Sequence, residues 1–166
     1  MCRISGIVNR LSAPTAAQIS AMRDAMQHGG PDDAGIYIDE VAGLALGHRR
    51  LSLIDLSAAG HQPMFSPNRQ LVIVYNGEIY NYLELREELV SLGHQFQSHS
   101  DTEVILAAYA QWGNECFSRF NGMFALAILN KQTNQLTLAR DHAGIKPLYY
   151  NLHEQGLYFA SEVRAF

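Results

Sequence analysis

The sequence holds only two cysteines in 166 residues, and nothing around them argues for a disulfide. It lacks a long hydrophobic run: none exceeds residues 123–129, far short of the roughly 20 apolar residues that a membrane-spanning helix needs. No signal-peptide core follows Arg3 at the N-terminus. These absences set a reducing, cytoplasmic compartment as the expectation, with no membrane partner. Positive charge is also scarce. The net charge is −4, and the one basic cluster, His48-Arg49-Arg50, is too small to cover a phosphate backbone, so nucleic acid is not an expected partner.

Missing motifs narrow the chemistry further. The seven histidines are scattered without the paired spacing of a zinc helix, and the carboxylates follow no EF-hand order, so no metal site is expected. No glycine loop leads into Lys-Ser or Lys-Thr, and no serine sits in a nucleophile-elbow context. What is there is a globular composition, 48% apolar and 17% charged, in a length that suits one domain with a sizeable core.

Hydrophobic patterning predicts strands at residues 3–8, 35–38, 44–48 and 71–75, the last ending in an Asn76-Gly77 turn. Thr15 and Gln18 form a capping box for a helix carrying Ile19, Met22 and Met26, stopped by Gly29-Gly30-Pro31. Residues 56–68 read as a long surface loop. Two helices follow, one capped by Asn81 and stopped by Gly93, the other opening on the capping box Ser100 to Glu103 and ending at Gly113. Further strands are expected at 123–129, 136–140, 148–151 and 157–160, giving an α+β fold with largely antiparallel sheets. Cys116, in an apolar context, reads as a small core hydrophobe.

Candidate chemistry centres on Cys2. Removal of Met1, which a side chain as small as cysteine normally permits, leaves a first residue with a thiol and a free α-amino group. That amine has a reference pKa of about 7.7–8.0, and a thiol of pKa about 8.5 needs such a base to attack fast. From position alone, an ordinary second residue is the commoner explanation. Three other polar spots carry the same ambiguity. His48-Arg49-Arg50 ends a strand, where an arginine can grip a carboxylate or merely face solvent. Asn76-Gly77-Glu78 can supply oxyanion donors, although a hairpin turn is the commoner use of Asn-Gly. Asp101 at a helix start suits the helix dipole as well as a ligand.

Taken together these spots resemble one family. Met1-Cys2 with Ser5-Gly6-Ile7, His28-Gly29-Gly30-Pro31-Asp32-Asp33, Gly47-His48-Arg49-Arg50-Leu51-Ser52 and Gly60-His61-Gln62-Pro63-Met64 are similar to the N-terminal glutaminase domain of glutamine-dependent asparagine synthetases, class II amidotransferases of the N-terminal-nucleophile type. Tyr75-Asn76-Gly77-Glu78, Ser100-Asp101-Thr102-Glu103, Phe120-Asn121-Gly122-Met123, Ala139-Arg140-Asp141-His142 with Lys146-Pro147, and Ala160-Ser161-Glu162 continue the match in order. The resemblance implies a four-layer αββα sandwich of two antiparallel sheets. It casts Cys2 as nucleophile and base, Asn76 and Gly77 as the oxyanion hole, Arg50 as the clamp on the substrate α-carboxylate, and Glu78 and Asp101 as acids for its ammonium group.

The implied partners are L-glutamine and a synthetase domain in the full-length chain, with a homodimer left open. No cofactor is implied for this domain, while ATP and Mg2+ belong to the synthetase domain. That domain lies beyond residues 1–166, which read as a glutaminase domain truncated at its C-terminal end. Alternatives are a relative with another carboxylate acceptor and a catalytically weak docking scaffold. Two positions depart from the pattern: Gly29 stands where arginine is usual, removing a cation near the site, and Arg3 stands where glycine is frequent.

Overall fold

Strand β5 (Leu71–Ile79) is buried on both faces over most of its length, so it can only lie inside a layered structure. The computed structural model, which describes residues 2–52 and 58–166, shows how the alternate faces are used. Val72 and Val74 pack between two sheets, against Ile4, Leu44, Leu46 and Phe159. Leu71, Ile73 and Tyr75 face the other way, onto Leu85, Leu89, Val104 and Ile105 of two helices.

The first sheet has the order β2-β3-β1-β9-β8, formed by β1 (Arg3–Asn9), β2 (Asp33–Asp39), β3 (Leu44–Arg50), β8 (Tyr149–His153) and β9 (Gly156–Ala160). The second has the order β4-β5-β6-β7, with β4 (Met64–Phe65), β6 (Gly122–Asn130) and β7 (Gln135–Arg140). Every pairing is antiparallel. Helix α1 (Ala16–Asp24) covers the outer face of the first sheet, placing Ile19 and Met22 on Ile7 and Ala45. Helices α2 (Tyr82–Ser91) and α3 (Asp101–Trp112) cover the second. The expected αββα order of layers is what forms.

Local signals account for most boundaries. The Thr15–Gln18 capping box is present in both directions, an arrangement worth about 1 kcal/mol. The helix it opens ends at Asp24, well before Gly29, and the chain continues through a 3-10 turn at Gln27–Gly29. Ser100 caps α3 by accepting from the Thr102 N–H, but Glu103 turns to the Gln97 and Ser98 N–H groups, so the reciprocal half of that box does not form. Asn81 likewise precedes α2 without capping it; its side chain bridges the Arg119 carbonyl and the Asn121 N–H.

Two further expectations are corrected. Asn76-Gly77 is not a turn: β5 runs through it to Ile79, and Gly77 pairs with Phe124. The strands approach so closely there that a Cβ on Gly77 would lie 2.2 Å from the Met123 carbonyl oxygen, so the glycine serves strand contact rather than chain reversal. The expected loop at 56–68 falls partly outside the described residues, and the rest is not all surface. It contributes β4 and the buried Gln62, whose Oε1 accepts the Tyr75 N–H at 2.7 Å while its Nε2 donates to Thr102. Cys116 is fully buried in the helix-side core, and burial pushes its thiol up to about 12.

His48 fastens the two sheets together. It is 1% exposed, and its Nε2 donates across the layer to the Tyr75 carbonyl at 3.1 Å. Burial pushes its pKa down to about 3, so the imidazole is neutral in the fold. Between that value and the unfolded pKa near 6.5 the unfolded chain binds the extra proton, so stability falls as pH drops through this window. Urea unfolding at pH 5 should show about 2 kcal/mol less stability from this group than at pH 7, with His48→Gln removing that component of the slope.

Candidate functional site

Strand parity gathers the candidate residues at one end of the layer between the sheets. Val72 and Val74 face that layer, and Asn76 and Glu78 continue their face of β5. Leu44 and Leu46 face it from β3, and His48 and Arg50 continue that face to the strand end. Cys2 precedes β1 with the parity of Ile4. It stands one step beyond the Arg3–Arg49 pair in the register, which sets it opposite Arg50.

The Cys2 side chain is half-buried. Its Sγ accepts the Leu51 N–H at 3.4 Å and approaches the Leu51 carbonyl at 3.5 Å. Burial raises the thiol pKa, while the Leu51 N–H and the Arg50 charge pull it down. The thiol therefore stays protonated at neutral pH until a base takes the proton. Arg50 is 8% exposed, a cation held at the strand end beside the thiol.

Asn76 is 1% exposed, and its Oδ1 finds no hydrogen-bond partner among the described residues. Leaving such an atom unpaired costs about 1–3 kcal/mol, so folding alone does not account for this side chain. Gly77 adds a backbone donor. The N–H groups of Tyr75 and Ile79, two residues to either side, reach Gln62 and Asp101, whereas the Tyr80 N–H reaches Asn121 beside β6. The odd-numbered N–H groups of β5, Gly77 included, thus point to the edge away from β6.

Glu78 and Asp101 occupy different positions. Glu78 is half-exposed on the Asn76 face. Asp101, at the start of α3, comes from the helix layer, and its Oδ2 accepts from the Tyr75 hydroxyl at 2.8 Å and the Ile79 N–H at 3.1 Å. Burial raises its pKa, against those donors. Asp101 therefore ties α3 to β5, and its charge reaches the site through Glu78 and Tyr75.

Two contributors carry no role in the sequence reading. Gln62 satisfies the edge of β5 beside Gly77. Lys146, only 6% exposed, stands within the electrostatic reach of Glu78 and Cys2. Burial lowers its pKa, and the Glu78, Asp141 and Cys2 charges oppose that shift. Its backbone is set by Asp141, whose carboxylate accepts N–H groups from Phe124 (3.1 Å), Ile145 (2.9 Å) and Lys146 (3.0 Å). Phe124 is the partner of Gly77 in β6, so one carboxylate aligns both the lysine and the strand behind the backbone donor. A lysine flanked by Ile145 and Pro147 was the signal available in the sequence. Among the described residues, no three His, Cys, Asp or Glu side chains gather as metal ligands, and no helix is long and apolar enough to cross a membrane.

A family model described as a glutamine amidotransferase domain matches residues 1–166. Among curated proteins, the chain is 46% identical to asparagine synthetase [glutamine-hydrolyzing] 1 of Bacillus subtilis, over 98% of this chain and 26% of that protein. It is 41% identical to asparagine synthetase B [glutamine-hydrolyzing] of Escherichia coli, over 99% of this chain and 30% of that one. The chain thus spans between a quarter and a third of the length of these relatives. Among solved structures, the glutamine phosphoribosylpyrophosphate amidotransferase of B. subtilis superposes with a TM-score of 0.80 at 25% identity, covering 99% of this chain and 43% of that one.

Proposed function

Because this chain belongs to the glutamine amidotransferase family, we propose that it hydrolyses L-glutamine to glutamate and ammonia. The ammonia passes to an ATP-dependent synthetase portion of the full-length protein, which makes asparagine from aspartate. The observation that carries this reading is the buried Asn76 side chain, its Oδ1 without a partner among the described residues, at the same end of the inter-sheet layer as the Cys2 thiol and the Arg50 cation.

After loss of Met1, the α-amino group of Cys2 takes the thiol proton, and Sγ attacks the glutamine side-chain carbonyl. Asn76 Nδ2 and the Gly77 N–H stabilise the negative oxygen that results. The protonated amine hands its proton to the leaving nitrogen, ammonia departs, and a thioester remains. Water then attacks the thioester, releasing glutamate and restoring the thiol.

Arg50 pairs with the substrate α-carboxylate, and Glu78 meets its ammonium group. Asp101 adds to the negative field there while holding α3 to β5. ATP and Mg2+ belong to the synthetase portion, and no residue of this chain is assigned to them. A cytoplasmic setting is part of the same reading.

Recognition of both charged ends of free glutamine makes a sharp test. N-acetylglutamine and glutamine α-amide each lose one ion pair, and kcat/KM should fall about 10²-fold for each. Release of glutamate and ammonia is the measurement. Equal turnover of peptide-borne glutamine would overturn the substrate assignment.

A further inference from the structure

Arg3 and Gly29 meet in space. A Cβ on Gly29 would lie 2.5 Å from Arg3 Cζ, 2.6 Å from its Nε and 2.8 Å from its Cγ, closer than real Cβ contacts come. Backbone conformation does not explain the glycine, because residue 29 is not among those with positive φ. What excludes a side chain at 29 is the arginine at 3.

That arginine is pinned. Its Nε donates to Glu162 Oε1 at 2.5 Å, and its Nη1 donates to the Cys2 carbonyl at 3.0 Å. His28 Nε2 meets the same Glu162 oxygen at 3.0 Å, and Arg164 Nε meets the other at 2.9 Å. The Ser5–Ala160 pair between β1 and β9 extends in register to Arg3 and Glu162. The guanidinium therefore lies across a strand pair whose position the sheet already fixes. Swinging it aside to admit a side chain at 29 would break the bonds to Cys2 and Glu162 together.

We propose that Arg3 is a positioning residue for the Cys2 nucleophile, and that the glycine at 29 is what leaves room for its guanidinium. This rests on the reading of Cys2 given above. The end of a strand frays unless tied down, and the Cys2 carbonyl belongs to the same residue as the thiol and the α-amine. A planar fork that bonds that carbonyl and Glu162 at once limits rotation of the whole residue, which a single-point ammonium does less well.

The test is a four-member cycle in the full-length protein with Met1 removed: wild type, Arg3→Ala, Gly29→Arg, and both together. Arg3→Ala should lower glutaminase kcat about 10- to 100-fold with KM nearly unchanged, the signature of a misplaced nucleophile rather than of weakened binding. Gly29→Arg alone forces two side chains into one space and should lose activity or fail to fold. The double variant should fold and keep kcat within about threefold of Arg3→Ala alone, because the guanidinium that residue 29 meets is gone, a coupling that independent sites do not give. Arg3→Lys should fall between wild type and Arg3→Ala. An active wild type with an unimpaired Arg3→Ala, or a double variant that loses as much relative to Arg3→Ala as Gly29→Arg loses relative to wild type, would overturn this inference while leaving the glutaminase reading intact. An inactive wild type would overturn both.

Discussion

Cys2→Ala should release no glutamate above the uncatalysed background, while unfolding at nearly the wild-type urea concentration. The two halves of that expectation have separate physical grounds. The thiol is only half-buried, and its contacts are sulfur hydrogen bonds to Leu51, which contribute little to stability. Its loss removes the atom that the proposed mechanism assigns to the thioester, and no second nucleophile is assigned in the site. Burial raises the thiol pKa, so simple ionisation does not supply the thiolate at neutral pH. Activity in the wild type should instead rise with pH through the range of a free α-amine, about 7.7–8.0. A protein that retains Met1 has that amine locked in a peptide bond and should behave like Cys2→Ala. N-terminal mass spectrometry beside the glutamate assay checks this; full activity in a Met1-retaining sample would sink the amine-base mechanism.

Asn76→Ala should lower kcat by about 10²- to 10³-fold with a much smaller change in KM, the usual cost of one lost oxyanion donor. Its stability should be unchanged or higher. In the wild type the fold tolerates a buried Oδ1 with no partner among the described residues, and a methyl group in its place removes that penalty of about 1–3 kcal/mol against a small packing loss. Activity and stability therefore move in opposite directions at this one position, as expected where a side chain serves chemistry and not packing. Retained turnover, or a large drop in stability with turnover intact, would remove Asn76 from the site.

The elements legible in the sequence were those governed by neighbouring residues. Thr15 and Gln18 cap each other three positions apart, Gly113 ends α3 with φ of 58°, and the apolar runs of β5 and β6 pair with each other. The misreadings share a different cause. Asn76-Gly77 has a turn's composition, but pairing with Met123 and Phe124, far along the chain, keeps it extended. Glu103 abandons the capping box because Ser98 offers it two donors. Cys2, Arg50, Asn76, Gly77, Glu78 and Asp101 were named from family likeness. Lys146 and Gln62 were not given roles, since each acts through a partner fixed only by the sheets. The reason Gly29 is glycine lies at Arg3, on a strand separated from it by a whole helix.

The order of the first sheet also bears on how the nucleophile comes into being. Strand β1 lies between β3 and β9, so one of its edges stays open until residues Gly156–Ala160 and the Glu162 anchor have been synthesised. At roughly 5–20 residues per second, the intervening stretch of about 150 residues takes on the order of 8–30 s. During that interval the start of the chain lacks its β9 partner and is open to the removal of Met1 that the proposed mechanism requires. On the proposed mechanism, the topology separates the making of that amine from its enclosure, the first during translation and the second only after β9 arrives.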